Sequence, residues 1–293
     1  MSPDATTPGP GLFVTDDAQG FELDPRPAEV VVFGSHLAFG SVGLNAGLPV
    51  YAEAGIRCAA IPTIVLSNLP HYRSVQAIDV SADWITASLR DLTAAGALRS
   101  LRAVAVGYLA APSQAHAIAD WYLGLDPAAR PPLVLDPTFG DADVGFYTDP
   151  AVAPALRERL VPLATVVTPN LFELAHLTAG DDDASDVAPS DISTTVVRAR
   201  TLLASDDASA IVTGVRTGDG EITNLVVGTT TDSVVAGREI PTGAKGLGDT
   251  FTATLVAAQL HGASLTAAVE AGAARVRRAI EDRERARTGA PDN

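Results

Sequence analysis

The stretch Gly-Ala-Lys-Gly-Leu-Gly-Asp-Thr-Phe at residues 243–251 decides how the rest of this chain is interpreted. Its glycines allow tight turns and bring bare backbone N–H groups close to a ligand. The alanine-rich segment Phe251–Leu260 follows and predicts a helix, whose N-terminus favours anions because its first N–H groups are unpaired. Asp249 adds a carboxylate beside this anion-receiving loop. Two interpretations stay open on these residues alone, a base that takes a proton from a hydroxyl and the N-cap of an ordinary glycine-rich turn.

The composition is that of a globular protein. The chain has 293 residues, of which 47% are hydrophobic and 19% charged, and it is long enough to bury a substantial core. No apolar run approaches the roughly 18 residues that a membrane helix needs, and the N-terminus lacks the pattern of a secretory signal. The single cysteine, Cys58, excludes an intramolecular disulfide. We therefore expect a cytoplasmic location and no membrane partner.

The charge balance limits the partners. The formal net charge is −15, from 35 acidic and 20 basic residues, and no basic stripe interrupts it. Such a chain repels polyanions, so we predict that it binds no nucleic acid. A single nucleotide remains compatible, because it needs only local N–H groups, a metal ion and one or two cations.

Short Val/Ile/Leu runs alternate with helical patterns along most of the chain. Residues 1–27, rich in Pro, Gly, Asp and Thr, predict a mobile tail, followed by one domain over residues 28–283 and a C-terminal tail over 284–293. The predicted strands are Val30–Gly34, Arg57–Leu66, Arg102–Gly107, Pro132–Asp136, Ala164–Thr168, Ala210–Thr213, Glu221–Val227 and Asp232–Glu239. The predicted helices are Ser41–Glu53, Ala82–Leu98, Ser113–Leu123, Pro150–Leu160, Asn170–Thr178, Thr194–Ala204, Asp249–His261 and Leu265–Glu281.

This alternation predicts an α/β fold, a doubly wound and mostly parallel sheet with flanking helices and a late antiparallel hairpin at one edge. Ligands of such sheets collect at the carboxyl ends of the strands. Polar or glycine residues stand at those ends repeatedly, namely Ser35, His36, Ser67, Asn68, Gly107, Tyr108, Asp136, Thr168, Asn170 and Thr213. We expect them to face one rim, together with the glycine-rich loop.

An ordered set of motifs over residues 30–281 resembles the ribokinase superfamily and, more narrowly, its pyridoxal kinases. The motifs are Gly34-Ser-His-Leu-Ala-Phe-Gly-Ser-Val-Gly43, Ser67-Asn-Leu-Pro-His-Tyr72, Gly107-Tyr108, Asp136-Pro-Thr-Phe-Gly-Asp141, Thr168-Pro-Asn-Leu-Phe-Glu173 and Gly246-Leu-Gly-Asp249. Gly-x-Gly-Asp and Thr-Pro-Asn-x-x-Glu point to the superfamily. Ser-His followed by Gly-x-Val-Gly, with Ser-Asn-x-x-x-Tyr, points to the vitamin B6 kinases.

The resemblance implies transfer of a phosphoryl group from ATP to the 5′-hydroxymethyl group of pyridoxal, which gives pyridoxal 5′-phosphate. Asp249 would be the catalytic base, and Gly246, Leu247 and Gly248 would form an anion hole for the transferring group. A carboxylate near a helix N-terminus is expected to have a low pKa and to stay ionised at neutral pH.

The resemblance also assigns the nucleotide side. Asp136, Asn170, Thr213 and Lys245 would contact the nucleotide and its phosphates, and Asp136 with Glu173 would hold Mg²⁺ largely through water, with a monovalent cation such as K⁺ as a further candidate. Simpler roles remain open: Asn170 and Glu173 as a helix cap of the capping-box kind, Asp136 as a turn former, Thr213 as a plain strand end, and Lys245 as a solvated side chain.

On the substrate side the resemblance assigns Ser35, Val42, Ser67 and Tyr108. Leu69 and Pro70 stand where the family usually has His-Thr, which changes the recognition of the substrate ring. Two other functions remain open, a kinase for the hydroxymethylpyrimidine of thiamine synthesis and a non-catalytic B6-binding protein. The pyrimidine kinases commonly carry Cys at the position of Asp249, which counts against the first. A homodimer is expected from the resemblance.

Overall fold

A twisted central sheet organises the protein, in a computed structural model that describes residues 22–178, 191–218 and 220–288. Its strands there are β1 Val30–Leu37, β2 Cys58–Leu66, β3 Ala77–Asp79, β4 Ala103–Val106, β5 Leu133–Leu135, β8 Val166–Val167, β9 Ser209–Gly218, β10 Glu221–Val227 and β11 Asp232–Arg238; β6 Gly140–Asp141 and β7 Gly145–Phe146 form a separate small hairpin. The helices there are α1 Leu44–Glu53, α2 Ala82–Ala94, α3 Pro112–Leu123, α4 Val152–Arg159, α5 Leu171–Thr178, α6 Ile192–Arg200, α7 Leu247–Leu260 and α8 Leu265–Thr288.

The strand order is β11-β10-β9-β8-β5-β4-β1-β2-β3. The strands from β2 to β9 in this order are parallel, while β10 and β11 pair antiparallel at one edge and β3 pairs antiparallel at the other. The predicted doubly wound, mostly parallel sheet with a late edge hairpin is confirmed. The parallel arrangement brings the carboxyl ends of six strands to one rim, where ligands of such sheets bind.

Both faces of the sheet are covered, which explains the continuous apolar runs of its strands. Val31 and Phe33 of β1 belong to a core cluster with α2, α3 and α4, whereas Val30 and Val32 belong to a second cluster with α1, α7 and α8. This alternation follows from the two-residue period of a strand. The second cluster fixes α7, and with it the glycine-rich loop at its start, against the sheet.

Several element boundaries differ from the predicted ones. β1 runs to Leu37, so Ser35 and His36 lie inside the strand and not after it, and β9 continues past Thr213 to Gly218. α2 ends at Ala94 and not at Leu98, because Gly96 adopts a left-handed φ of 71°, which is typical just after a helix. The short strands β3, β6 and β7 were not predicted, since two or three residues carry no periodic signal.

The ends of the chain are only partly described. α8 runs to Thr288, so residues 284–288 of the expected C-terminal tail are helical. Residues 1–21 of the expected N-terminal tail, and residues 289–293, lie outside the described residues. Within the described ranges, no helix combines the length and apolar character that a bilayer-spanning segment requires.

Candidate active site

The glycine-rich loop ends as the N-terminus of α7. Gly246 is the N-cap residue, with a left-handed φ of 83°, and a Cβ there would collide with the Ser41 carbonyl oxygen. Only glycine satisfies both conditions. The helix begins at Leu247, so the N–H groups of Leu247 and Gly248 belong to its first turn and have no partner within the helix. The loop therefore presents N–H groups that have no partner within the helix, and the anion hole itself stays a prediction.

Asp249 lies in this first turn, where two halves of the rim meet. A Cβ added to Gly107, after β4, would lie 3.9 Å from Asp249 Oδ1. Burial raises the pKa of Asp249 above its usual range, and the backbone N–H groups of Gly43 and of Asp249 itself oppose the rise. The low pKa expected from the helix N-terminus is therefore wrong for the ligand-free protein, because desolvation outweighs the helix dipole.

Asp136 follows β5 directly and is 7% exposed. Its Oδ2 accepts a hydrogen bond of 3.0 Å from Thr252 Oγ1, and the Thr252 hydroxyl lies 3.3 Å from that of Thr168. Burial, and next the charge of Asp249, raise the pKa of Asp136 to about 7. Asp136 thus changes its charge near neutral pH in the ligand-free protein.

Asn170 and Glu173 form a reciprocal cap at the start of α5. The Asn170 N–H donates to Glu173 Oε2 over 2.8 Å, and the Glu173 N–H donates to Asn170 Oδ1 over 2.9 Å. The capping role left open by the sequence is therefore confirmed. Glu173 Oε1 also accepts from the Phe139 N–H at 3.3 Å. Burial, followed by the charge of Asp136, raises the pKa of Glu173.

A cavity of about 410 Å³ opens on these groups. Its lining includes predicted site residues: Asp136, Asn170, Glu173, Thr213, Lys245, Gly246, Leu247, Gly248 and Asp249. It also includes residues that sequence reasoning missed: Ile222, Asn224, Val235, Val276, Arg277 and Ile280. The missed residues come from β10, β11 and α8, where the sequence pattern predicts only strands and helices. A volume of this size, lined by charged, polar and apolar residues together, suits a nucleotide.

Lys245 lines the cavity and is the only lysine of the chain. Its Nζ lies 3.3 Å from Asp141 Oδ2, on the β6–β7 hairpin, and both side chains are about one third exposed, at 38% and 30%. Lys245 is therefore part of an ion pair and is only partly solvated. An anion entering the cavity would compete with Asp141 for the ammonium group.

The residues predicted to bind substrate, Ser35, Val42, Ser67 and Tyr108, do not line this cavity. They lie on β1 or just after β1, β2 and β4, strands on the side of β5 away from β9, β10 and β11 in the strand order. The Ser67 hydroxyl lies 2.5 Å from Asn68 Oδ1 and accepts from the Gln76 N–H at 2.9 Å, so it closes its own loop. Asp249 therefore lies between a nucleotide-sized cavity and a second set of loops.

The acidic groups of the cavity suit a hydrated divalent cation. Burial raises the pKa values of Asp136, Glu173 and Asp249, and a neighbouring carboxylate adds to the rise for Asp136 and Glu173. Among the described residues, no three His, Cys, Asp or Glu side chains lie close enough to hold a metal directly. Both Glu173 oxygens already accept backbone hydrogen bonds. Mg²⁺, which keeps most of its waters, fits such a donor set better than a metal that needs a full protein cage.

The fold and this arrangement define the class of protein: a ribokinase-like kinase of small molecules. The sequence profile of the phosphomethylpyrimidine kinase family matches residues 38–291, and the chain belongs to this family. It is 38% identical to a pyridoxine/pyridoxal/pyridoxamine kinase of Bordetella bronchiseptica over 88% of this chain and 90% of that protein. It is 28% identical to a pyridoxal kinase of Leifsonia xyli subsp. xyli, over 78% of this chain and 80% of the relative.

Solved structures share the fold. Pyridoxal kinase from Entamoeba histolytica superposes with a TM-score of 0.79 at 20% identity, covering 87% of this chain and 90% of the other. Pyridoxal kinase from Leishmania donovani, in complex with ADP and pyridoxamine, superposes with a TM-score of 0.76 at 22% identity, covering 86% and 88% of the two chains.

Proposed function

We propose that the protein phosphorylates the 5′-hydroxymethyl group of pyridoxal with ATP and so produces pyridoxal 5′-phosphate for vitamin B6 salvage. The observation that carries the proposal is the place of Asp249, between the cavity on its nucleotide side and the loops after β1, β2 and β4 on the other. The curated relatives named for pyridoxine, pyridoxal and pyridoxamine support the same substrates.

In the proposed reaction, the oxygen of the 5′-hydroxyl attacks the γ-phosphorus of ATP, and one carboxylate oxygen of Asp249 takes the hydroxyl proton. The bond between that phosphorus and the bridging oxygen breaks, and ADP leaves with the electron pair. The raised pKa of Asp249 suits this task, because a carboxylate closer to neutrality is a stronger base. The N–H groups of Gly246, Leu247 and Gly248 stabilise the charge on the transferring group.

On the nucleotide side, Asn170 and Thr213 would contact the nucleotide. Lys245 would give up its ion pair with Asp141 and bind the phosphates instead. Apolar residues of the cavity lining, such as Ile222 and Ile280, would contact the base. Bound Mg²⁺ would neutralise phosphate charge, and Asp136 and Glu173 would orient its waters. A requirement for K⁺ stays a prediction.

On the substrate side, Ser35 and Ser67 would meet the polar edge of the pyridine ring, and Val42 and Tyr108 its face. Ser67 can do so only if it gives up a contact within its loop, because its hydroxyl already has two partners. The homodimer and the cytoplasmic location also stay predictions.

A substrate panel tests the function. Purified protein with ATP and Mg²⁺ is given pyridoxal, pyridoxine, pyridoxamine or hydroxymethylpyrimidine at equal concentration, and phosphorylated product is quantified by chromatography. We expect turnover of pyridoxal, with kcat/KM at least tenfold above that for hydroxymethylpyrimidine. A preference for the pyrimidine, whose kinases give the family its name, would contradict the proposal. Binding of pyridoxal without consumption of ATP would favour a non-catalytic B6-binding protein.

A further inference from the structure

Two loops that carry predicted substrate residues are clamped at their bases. In the first, residues 38–43, the Asn45 amide bonds both backbone groups of Leu37, with distances of 2.9 Å to the N and 2.7 Å to the O. In the second, residues 67–76, the Ser67 and Gln76 backbones pair at 2.9 Å and Asn68 Nδ2 donates to the Ser74 carbonyl at 3.0 Å. Each base uses backbone groups that would otherwise lack a partner, so both loops are held in one conformation.

The tips of the two loops meet through an aromatic pair. The rings of Phe39 and Tyr72 are in edge contact, with centroids 6.3 Å apart and planes at 68°. Phe39 is nonetheless 65% exposed and Tyr72 55% exposed. Water contact of apolar area costs about 25 cal/mol per Å², so a loop that holds a phenyl ring in solvent gives up free energy that burial would recover. Paired exposed rings are a surface suited to a ligand.

The first loop connects this pair to the catalytic base. It carries Val42 and ends at Gly43, whose backbone N–H lowers the pKa of Asp249. Its Ser41 carbonyl packs so closely on Gly246 that no side chain would fit there. Phe39 is therefore two residues from a carbonyl that packs on the N-cap of α7, and its loop follows β1, which lies on the side of β5 away from β9, β10 and β11 in the strand order.

The second loop carries Leu69 and Pro70, whose side chains neither donate nor accept hydrogen bonds. A substrate beside these two side chains is therefore not recognised by hydrogen bonds from them. A flat ring can still be recognised through its faces, because aromatic contacts add about 0.5–1.5 kcal/mol beyond the area that they bury.

We propose that Phe39 and Tyr72 bind the ring of the substrate, so that their mutual contact is exchanged for contact with a planar aromatic vitamer. This inference rests on the proposed function and names specificity-determining residues for it. The ligand class is a flat, heteroaromatic alcohol, and a sugar of similar size would gain less from two aromatic rings.

Kinetics and direct binding test the pair together. Phe39→Ala and Tyr72→Ala are each expected to raise the KM for pyridoxal about three- to tenfold, with the KM for ATP within twofold of the wild type. Tyr72→Phe keeps the ring and is expected to keep the KM. Trp84→Ala, which removes an exposed aromatic side chain from α2, is the control and should change neither constant.

Calorimetric binding of pyridoxine in the presence of ADP separates this inference from the proposed function. Weaker binding by both alanine variants supports the aromatic pair even if the wild type transfers no phosphoryl group, in which case only the proposed function fails. Binding or KM values within twofold of the wild type in both alanine variants overturn the aromatic pair. A wild type that binds neither pyridoxal nor pyridoxine overturns both.

Discussion

Thr252 Oγ1 donates a 3.0 Å hydrogen bond to Asp136 Oδ2, joining α7 to the end of β5 beneath the glycine-rich loop. Thr252 is 6% exposed and lies three residues after Asp249, so one helical turn carries both the proposed base and the group that orients the neighbouring acid. Removing the hydroxyl would leave a buried carboxylate with one donor fewer.

We expect Thr252→Val to reduce kcat about tenfold and to destabilise the protein by about 1–3 kcal/mol, since a hydrogen bond to a buried acid is lost. Thr252→Ser keeps the hydroxyl and should retain most of the activity. Thr254→Val is the matched control, because the Thr254 hydroxyl bonds only a carbonyl of its own helix at 2.7 Å. Steady-state kinetics and urea unfolding measure both effects. Equal losses in Thr252→Val and Thr254→Val would show that the hydroxyl has no special role.

Asp249→Asn should lower kcat by about 10²–10⁴, the usual contribution of a positioned base. The affinity for ADP should change less than threefold, because Asn is of nearly equal size and the amides of α7 remain. Asp141→Asn, at the mouth of the same cavity, is the control and should leave kcat within about threefold. Single-turnover kinetics and ADP titration distinguish the two constants. Undiminished turnover in Asp249→Asn would refute the assigned base.

The stability of the ligand-free protein should fall as the pH rises from 5 to 7. The pKa of Asp136 is about 7 in the folded state, against 3.8 for the free side chain. Over this pH range the folded state binds more protons than the unfolded state, so each pH unit favours unfolding. At up to about 1.4 kcal/mol per unit, the loss attributable to Asp136 is on the order of 2 kcal/mol.

Urea unfolding at pH 5 and pH 7 without Mg²⁺ measures this slope. Asp136→Asn has no carboxyl group at this position. Its loss of stability between pH 5 and pH 7 should therefore be smaller than that of the wild type by about 2 kcal/mol. Asp91→Asn, exposed on α2, should keep the slope of the wild type. Identical slopes in all three proteins would show that Asp136 titrates normally. Added Mg²⁺ should raise stability more at pH 7 than at pH 5, since it binds the ionised form.

Lys245→Met should raise the KM for ATP about tenfold, because Lys245 is the only lysine of the chain and lines the cavity beside the glycine-rich loop. Stability should change by less than about 1 kcal/mol, since its ion pair with Asp141 is partly exposed. Arg26→Met breaks the exposed pair with Asp24 elsewhere and should leave the KM unchanged. An unaltered KM in Lys245→Met would leave Lys245 as a surface charge only.

Gln114→Leu should destabilise the protein by about 2–4 kcal/mol. Gln114 is 1% exposed, and its amide bonds the Ala110 N–H and the carbonyls of Thr63 and Val80 at 2.7–2.8 Å. A leucine would leave these buried backbone groups without partners. Gln76→Leu, on an exposed loop, is the matched control and should cost less than about 0.5 kcal/mol. Equal unfolding midpoints for the two variants would contradict this role of Gln114.

The sequence predicts the sheet well because its strands are buried on both faces and appear as short apolar runs. The boundaries of β10 coincide with the predicted Glu221–Val227. The two-residue strands β6 and β7 carry no such signal. They bring Asp141 to Lys245 across 104 positions, a contact that no local pattern reveals.

The site is predictable where a residue is tied to a glycine turn or a helix cap, as with Gly246 and Glu173. It is not predictable where its properties depend on burial. The dipole argument gave Asp249 a low pKa, but desolvation by distant elements reverses the direction. Thr252 could have been found from its spacing to Asp249, whereas Arg277 could not, because nothing local places α8 beside the cavity.

The close packing of the Ser41 carbonyl on Gly246 has a consequence for the hydrolysis of ATP without an acceptor. A base positioned only by the nucleotide loop would activate water as readily as an alcohol. Here the turn that leads to Asp249 packs against the loop that carries Phe39, so the position of the carboxylate depends on the segment proposed to bind the vitamer. The rate of ATP hydrolysis without any vitamer, divided by the rate of phosphoryl transfer with one, measures how strongly activation of water by Asp249 is suppressed when no acceptor is bound.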